Sequence, residues 1–295
     1  MAEKRKFYGM RNDYMFHAVL QKNEEVLRNL LATLLEIDEA EIESCHIENP
    51  IELGKEIEGK ECILDVKLTL NNDKVINIEL QVYKQTYWIN RSLLYWARTY
   101  DNLKSGQDYS MLLPAYHIGI LDFTLFENHP KFMAQYQILD VEDGYLYSDK
   151  LCIKVLDLTQ LEKAKQESET NKKLLKWASI FKAETLEELE QLASGEEVFE
   201  NMVVTMKKLS EDEKIRMQCE AREDYERSLL TEYNAGKSEG IEQGIASERG
   251  NTEKERQRAE KESQRAEKER QRAENESQRA DALAAEVERL RALLK

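Results

Sequence analysis

Proline is scarce in this chain and stops early: Pro50, Pro114 and Pro130 are all it has. A long proline-free remainder favours helix, because proline removes a backbone donor and clashes with the preceding turn. Cysteine is equally thin. Cys45, Cys62, Cys152 and Cys219 lie far apart with no C-x-x-C pair, and His17, His46, His117 and His129 show no zinc-ligand spacing. These are read as packing or surface residues. The N-terminal MAEKRKFYGMRNDYMF lacks the apolar run of a signal peptide, and no stretch of about 18 apolar residues occurs. The expectation is a soluble protein with no membrane partner, in a reducing cytoplasm. Net positive charge is missing too. A formal charge of −15 argues against nonspecific coating of nucleic acid. It leaves room for a local basic groove, because the field that matters is local.

What is present is apolar material for a core, at 41% hydrophobic residues, beside a long solvated portion. The most informative stretch runs from Cys62 to Tyr83. In CILDVKLTL the apolar residues are Cys62, Leu64, Val66, Leu68 and Leu70, so Asp65 and Lys67 point to the other face of a strand. In VINIELQVY the residues Ile76, Ile78, Leu80 and Val82 share one face, and Asn77, Glu79 and Gln81 the other. The turn-rich Asn71-Asn72-Asp73-Lys74 between them predicts a hairpin that sets Asp65 beside Glu79.

Before the hairpin, apolar residues at three-and-four spacing over 13–36 predict an amphipathic helix, with a break near Asn23 and Asn12 or Asp13 as its cap. Ile42–Leu53 reads as a strand ending near Pro50, and Glu58 to Glu61 lead into the hairpin. After it, TYWINRSLLYWARTYDNLKSGQ predicts a helix with Trp88, Arg91, Tyr95 and Arg98 along one side. Leu93, Leu94, Trp96, Ala97 and Tyr100 cover other parts of it, which suggests burial on more than one side. Residues 116–123, 132–139 and 151–158 read as further strands, completing an α/β domain over 1–158.

From 159 to 235 the pattern turns helical and strongly charged. Its stripes, such as Leu174, Trp177 and Phe181 or Met202, Val203 and Met206, are read as core. Residues 236–252, with Gly236, Gly240 and Gly244, read as a glycine-weakened helix or hinge. Residues 253–295 carry a true repeat: EKERQRA, EKESQRA, EKERQRA and ENESQRA run consecutively. Ala259, Ala266, Ala273 and Ala280 mark one heptad position, continued by Val287 and Leu294; the partner position becomes apolar only at Leu283 and Leu290. A strict seven-residue period favours a self-associating coiled coil, hence a homo-oligomer, with a long single helix as the alternative.

Two acids held side by side on rigid strands suit a hard cation. Asp65 and Glu79 would hold Mg2+, with Mn2+ as a substitute, and the Leu80 carbonyl lies between the outward-pointing residues as a further ligand. Gln81 is placed to orient a water or contact a phosphate. Arg91, Tyr95 and Arg98 could grip the phosphate backbone of DNA. Taken alone, such an acid pair is more often an ordinary solvated strand face, and Arg91 and Arg98 are more often solvated or paired with carboxylates than bound to DNA.

Several motifs in series narrow this. NDYMF followed by a helix, then LDVKL, IELQ and the R-x-x-x-Y of Arg91 and Tyr95 resemble the PD-(D/E)XK superfamily. More narrowly they resemble the Rpn-type recombination-promoting nucleases, also labelled PD-(D/E)XK nuclease family transposases. YHIGILDF, LCIKVLDL and EGIEQGI fit the same pattern, so the resemblance covers roughly residues 7–245 and leaves the heptads as an addition. It implies a restriction-endonuclease-like α/β core, a mixed sheet flanked by helices, and Mg2+-dependent DNA cleavage. By position, Asp65 and Glu79 match the metal acids, and Gln81 stands where the superfamily has lysine. Asp13 matches an acid at the start of the first helix, either an additional ligand or a cap. His17 stands where the family often has lysine after phenylalanine. The alternative is a catalytically silent nuclease-like module that binds or assembles through its C-terminal helix; intact Asp65, Glu79 and Gln81 argue for the enzyme.

Overall fold

A computed structural model describes residues 6–51, 53, 65–167 and 169–293. Its centre is a six-stranded mixed sheet of β1 (Cys45–Ile47), β2 (Val66–Leu70), β3 (Lys74–Gln81), β4 (Ala115–Leu121), β5 (Met133–Leu139) and β6 (Leu146–Asp157). The spatial order is β1-β2-β3-β4-β6-β5. β1 to β3 run as an antiparallel meander, β4 lies parallel to both β3 and β6, and β5 returns antiparallel along β6. Parallel neighbours need a crossover, and helix α3 (Trp88–Tyr100) supplies the one from β3 to β4.

The predicted N-terminal helix is two helices, α1 (Asp13–Lys22) and α2 (Glu24–Leu35), and Asn23 is the reason. Its backbone N–H closes α1 on the Val19 carbonyl, while its side chain accepts from the Val26 N–H and so caps α2. Of the expected strand over 42–53, only Cys45–Ile47 forms β1. The expected hairpin start at 62–64 and its lead at 58–61 lie outside the described residues.

One face of the sheet carries Val66, Leu68, Ile76, Ile78, Ile118, Ile120 and Leu156 into a single core that also takes Phe16, Leu30, Leu34, Trp177, Phe181 and Met202. That core extends from Tyr8 to Cys219. The predicted stripes therefore hold. Helices α4 (Leu161–Ala164), α5 (Lys172–Lys182), α6 (Leu186–Ala193) and α7 (Glu197–Glu211) share the core of the sheet domain and do not stand apart from it.

The last helix, α8 (Glu213–Leu293), continues through Gly236, Gly240 and Gly244, where the sequence suggests a weakened helix or hinge. Compact packing divides the chain after Ser228, and the second unit begins at Leu229. Leu283 and Val287 of the heptad series are exposed; Leu294 and the side chain of Leu290 lie outside the described residues. Among the described residues no helix is long and apolar enough to cross a membrane.

Candidate active site

The hairpin is built as its alternation requires. Asn71 and Asn72 take left-handed φ values of 51° and 55°, a conformation that asparagine tolerates better than most residues. The Asn71 side chain accepts from the N–H groups of Glu43 and Ser44 and donates to the Glu41 carbonyl, which fixes the turn. The register pairs Val66 with Ile78 and Lys67 with Asn77. Continued by one residue, it sets Asp65, immediately before β2, level with Glu79. Asn49 secures that residue: its amide donates to the Asp65 carbonyl at 2.7 Å and accepts from the Lys67 N–H at 2.9 Å.

The acids do not lie on an open face. Asp65 is 7% exposed and Glu79 1%, because α3 crosses over them. Gly119, level with Glu79 on β4, permits the approach: a Cβ there would meet the Trp88 ring at 2.4 Å. Trp96 Nε1 donates to the Ala115 carbonyl and ties the far end of α3 down. Trp88, Ser92 and Thr99 form the buried side, while Leu93 and Leu94 remain exposed. The helix is thus buried on one side, contrary to the reading of its mixed face. Its polar residues cluster toward the sheet because the sheet face beneath them is itself polar.

Burial and the negative charge of Glu79 push the Asp65 carboxyl up to about 7, against a hydrogen bond from Asn77 and the positive charge of Arg91. Arg91 Nε lies 3.0 Å from Glu79 Oε1, and His117 Nε2 lies 3.4 Å from Oε2. Neither contact is aligned as a hydrogen bond. The Arg91 and Arg98 guanidinium carbons sit 5.1 and 5.8 Å from the Tyr95 ring centroid. A cavity of about 230 Å³ opens here, lined by Asn49, Asp65, Lys67, Asn77, Tyr95, Arg98 and Thr99. The two acids and the α3 side expected to face nucleic acid are thus brought together, with Arg91 turned onto Glu79.

The other expected residues sit at the margin. Leu80 and Gln81 close β3, with the Gln81 amide 3.3 Å from the Tyr83 carbonyl. Asp13 is not the helix cap. Asn12 caps α1 by accepting from the Met15 N–H, and the Asp13 carboxylate is held by Arg222 of α8, with Nε 3.0 Å from each oxygen. Glu226, one turn on, is pushed up to about 7 by burial and by Asp13. Arg11 and Lys182 pair with Asp122 just beyond β4.

Sequence reasoning set Asn77 on the Glu79 face without a role and read His117 as packing or surface, and it passed over Arg222 and Glu226. The first two carry a faint signal, as polar residues on the same strand faces as Glu79 and Gly119. The last two carry none, since only the fold brings α8 back to α1.

The donor set suits a hard divalent cation. Two buried acids repel one another, and both Glu79 oxygens lack an aligned hydrogen bond. Among the described residues no group of three or more His, Cys, Asp or Glu is arranged to hold a metal ion. The pair would therefore need waters and phosphate oxygens to complete a shell, as Mg2+ commonly does. A family model described as PD-(D/E)XK nuclease family transposase matches residues 10–236. Comparison with the curated proteins found no match, and comparison with the solved structures found none either.

Proposed function

Because the chain belongs to the PD-(D/E)XK nuclease family transposases, which implies nuclease activity, we propose that it is a Mg2+-dependent DNA endonuclease of the recombination-promoting type. The observation that carries this is the level placement of Asp65, immediately before β2, and Glu79 on β3, buried beside a cavity that Tyr95 and Arg98 line.

Asp65, Glu79 and the Leu80 carbonyl would hold Mg2+, or Mn2+ in its place. When bound, the cation acidifies the attacking water and offsets charge that develops on the phosphate. The chain's own residues do the rest. Gln81 orients the water or the scissile phosphate. Arg98, packed on Tyr95, grips the backbone phosphates, and Arg91, on the same ring, joins it once a cation takes its place on Glu79. Asp13, engaged by Arg222, supports the site from outside the ligand set. Three described cysteines are free thiols, in keeping with a reducing cytoplasm.

Supercoiled plasmid with Mg2+ or Mn2+ tests the reading. Wild type should nick it, and Asp65→Ala and Glu79→Ala should lose about 10³-fold or more, since a bound cation contributes several kcal/mol to the transition state. Equal nicking by the variants would sink the assignment. No nicking by any of them with either metal would leave the silent assembly module. The heptad tail, in the same reading, joins copies of the chain. Truncation after residue 245 should lower the mass measured by light scattering, and an unchanged mass removes that part.

A further inference from the structure

Asn77 and His117 lie between the two acids and have no part in the chemistry above. The β3–β4 register sets them level, and they are 5% and 0% exposed. Asn77 Nδ2 is 3.2 Å from Asp65 Oδ2 and 3.3 Å from His117 Nδ1. His117 Nε2 in turn is 3.4 Å from Glu79 Oε2.

An amide nitrogen only donates, and an ionised carboxylate only accepts. One Asn77 hydrogen therefore goes to Asp65 and the other to His117 Nδ1, which then carries no proton. A neutral ring with Nδ1 bare has its hydrogen on Nε2, the nitrogen that faces Glu79. From this geometry we propose that Asn77 and His117 are positioning residues: a buried chain of donors that runs from Asp65 through the amide and imidazole to Glu79.

The chain engages Asp65 Oδ2 and Glu79 Oε2, so a cation would meet the other oxygen of each acid, and at Glu79 Oε1 it would take the place that Arg91 Nε holds at 3.0 Å. Holding a charged ligand's second oxygen is how outer groups orient first ligands, and losing such a group commonly weakens metal binding by about 10–100-fold. The long, off-line reach from Nε2 to Glu79 is usual in free enzymes and tightens as the complex forms. The inference rests on the reading of Asp65 and Glu79 as the metal acids.

The test begins without metal or mutation. Long-range proton–nitrogen correlation on histidine-labelled full-length protein should show His117 with its hydrogen on Nε2; His117→Phe assigns the signal by removing it. A hydrogen on Nδ1 in the wild type overturns the proposal. Asn77→Asp, which puts an acceptor in place of the donor, should move the hydrogen to Nδ1, and an unmoved tautomer also counts against it. Calorimetry with Mn2+ then reads the consequence. His117→Phe should bind about 10-fold more weakly or worse, whereas His117→Gln, whose amide can donate toward Glu79, should keep most of the affinity. Equal affinity of His117→Phe and wild type overturns the positioning role. If Asp65→Asn and Glu79→Gln bind Mn2+ like wild type, the metal-acid reading fails instead, and the tautomer alone shows whether the donor chain exists.

Discussion

The two faces of the central sheet are made from the same strands and follow opposite rules. Ile78 and Glu79 are neighbours in β3, and both are fully shielded from water. Ile78 enters a core shared with α1, α2 and α5, where each buried methylene adds to stability. Glu79 enters a layer under α3 with a second acid, an imidazole and a guanidinium, where burial works against the charged form. One face stabilises the fold. The other is carried by it, and keeps two acids together at a cost in stability.

The largest effect should come from the apolar side. Ile78→Ala should cost about 2–5 kcal/mol in urea unfolding, the range for truncating a core isoleucine. A loss under about 1 kcal/mol would mean that this face is not the tightly packed one.

The polar side should show the opposite sign. The Asp65 carboxyl is pushed up from its ordinary 3.8 to about 7 in the folded protein. Between those values the folded protein keeps a proton that the unfolded chain has released. In metal-free protein the contribution of this group is then fully present below the lower value and is lost as pH rises toward the upper one. Glu226, also raised to about 7, adds to the slope in the same window. Asp65→Asn should therefore be more stable than wild type at pH 8, by on the order of 2–4 kcal/mol, and should flatten the slope down to the share of Glu226. An unchanged slope would break the contrast between the faces.

Much of this was legible in local pattern. The alternation of Val66, Leu68 and Leu70 against Ile76 and Ile78, with two asparagines at the turn, specifies the register that sets Asp65 level with Glu79. Asn23 marks the break between α1 and α2 because it can cap a helix and cannot comfortably continue one. The burial of the acids was not legible, since a strand's sequence does not say what covers it. Trp88 and Gly119 decide that, and they meet from 31 positions apart. His117 sits in a strand whose other residues read as plain core. Arg222 reaches Asp13 from 209 positions away, beyond any periodicity.

The Asn12 amide has a consequence in time. Its oxygen caps α1, while its nitrogen donates to the carbonyl of Cys219, 207 positions later. At synthesis rates of about 5–20 residues per second, roughly 10–40 seconds separate the two partners on the ribosome. Through that interval α1 can form, but the carboxylate of Asp13 in its first turn waits without Arg222. The neighbourhood of the acids is therefore finished late in translation, and a ribosome-bound fragment that already holds Asp65 and Glu79 still lacks the helix that balances the charge next to them.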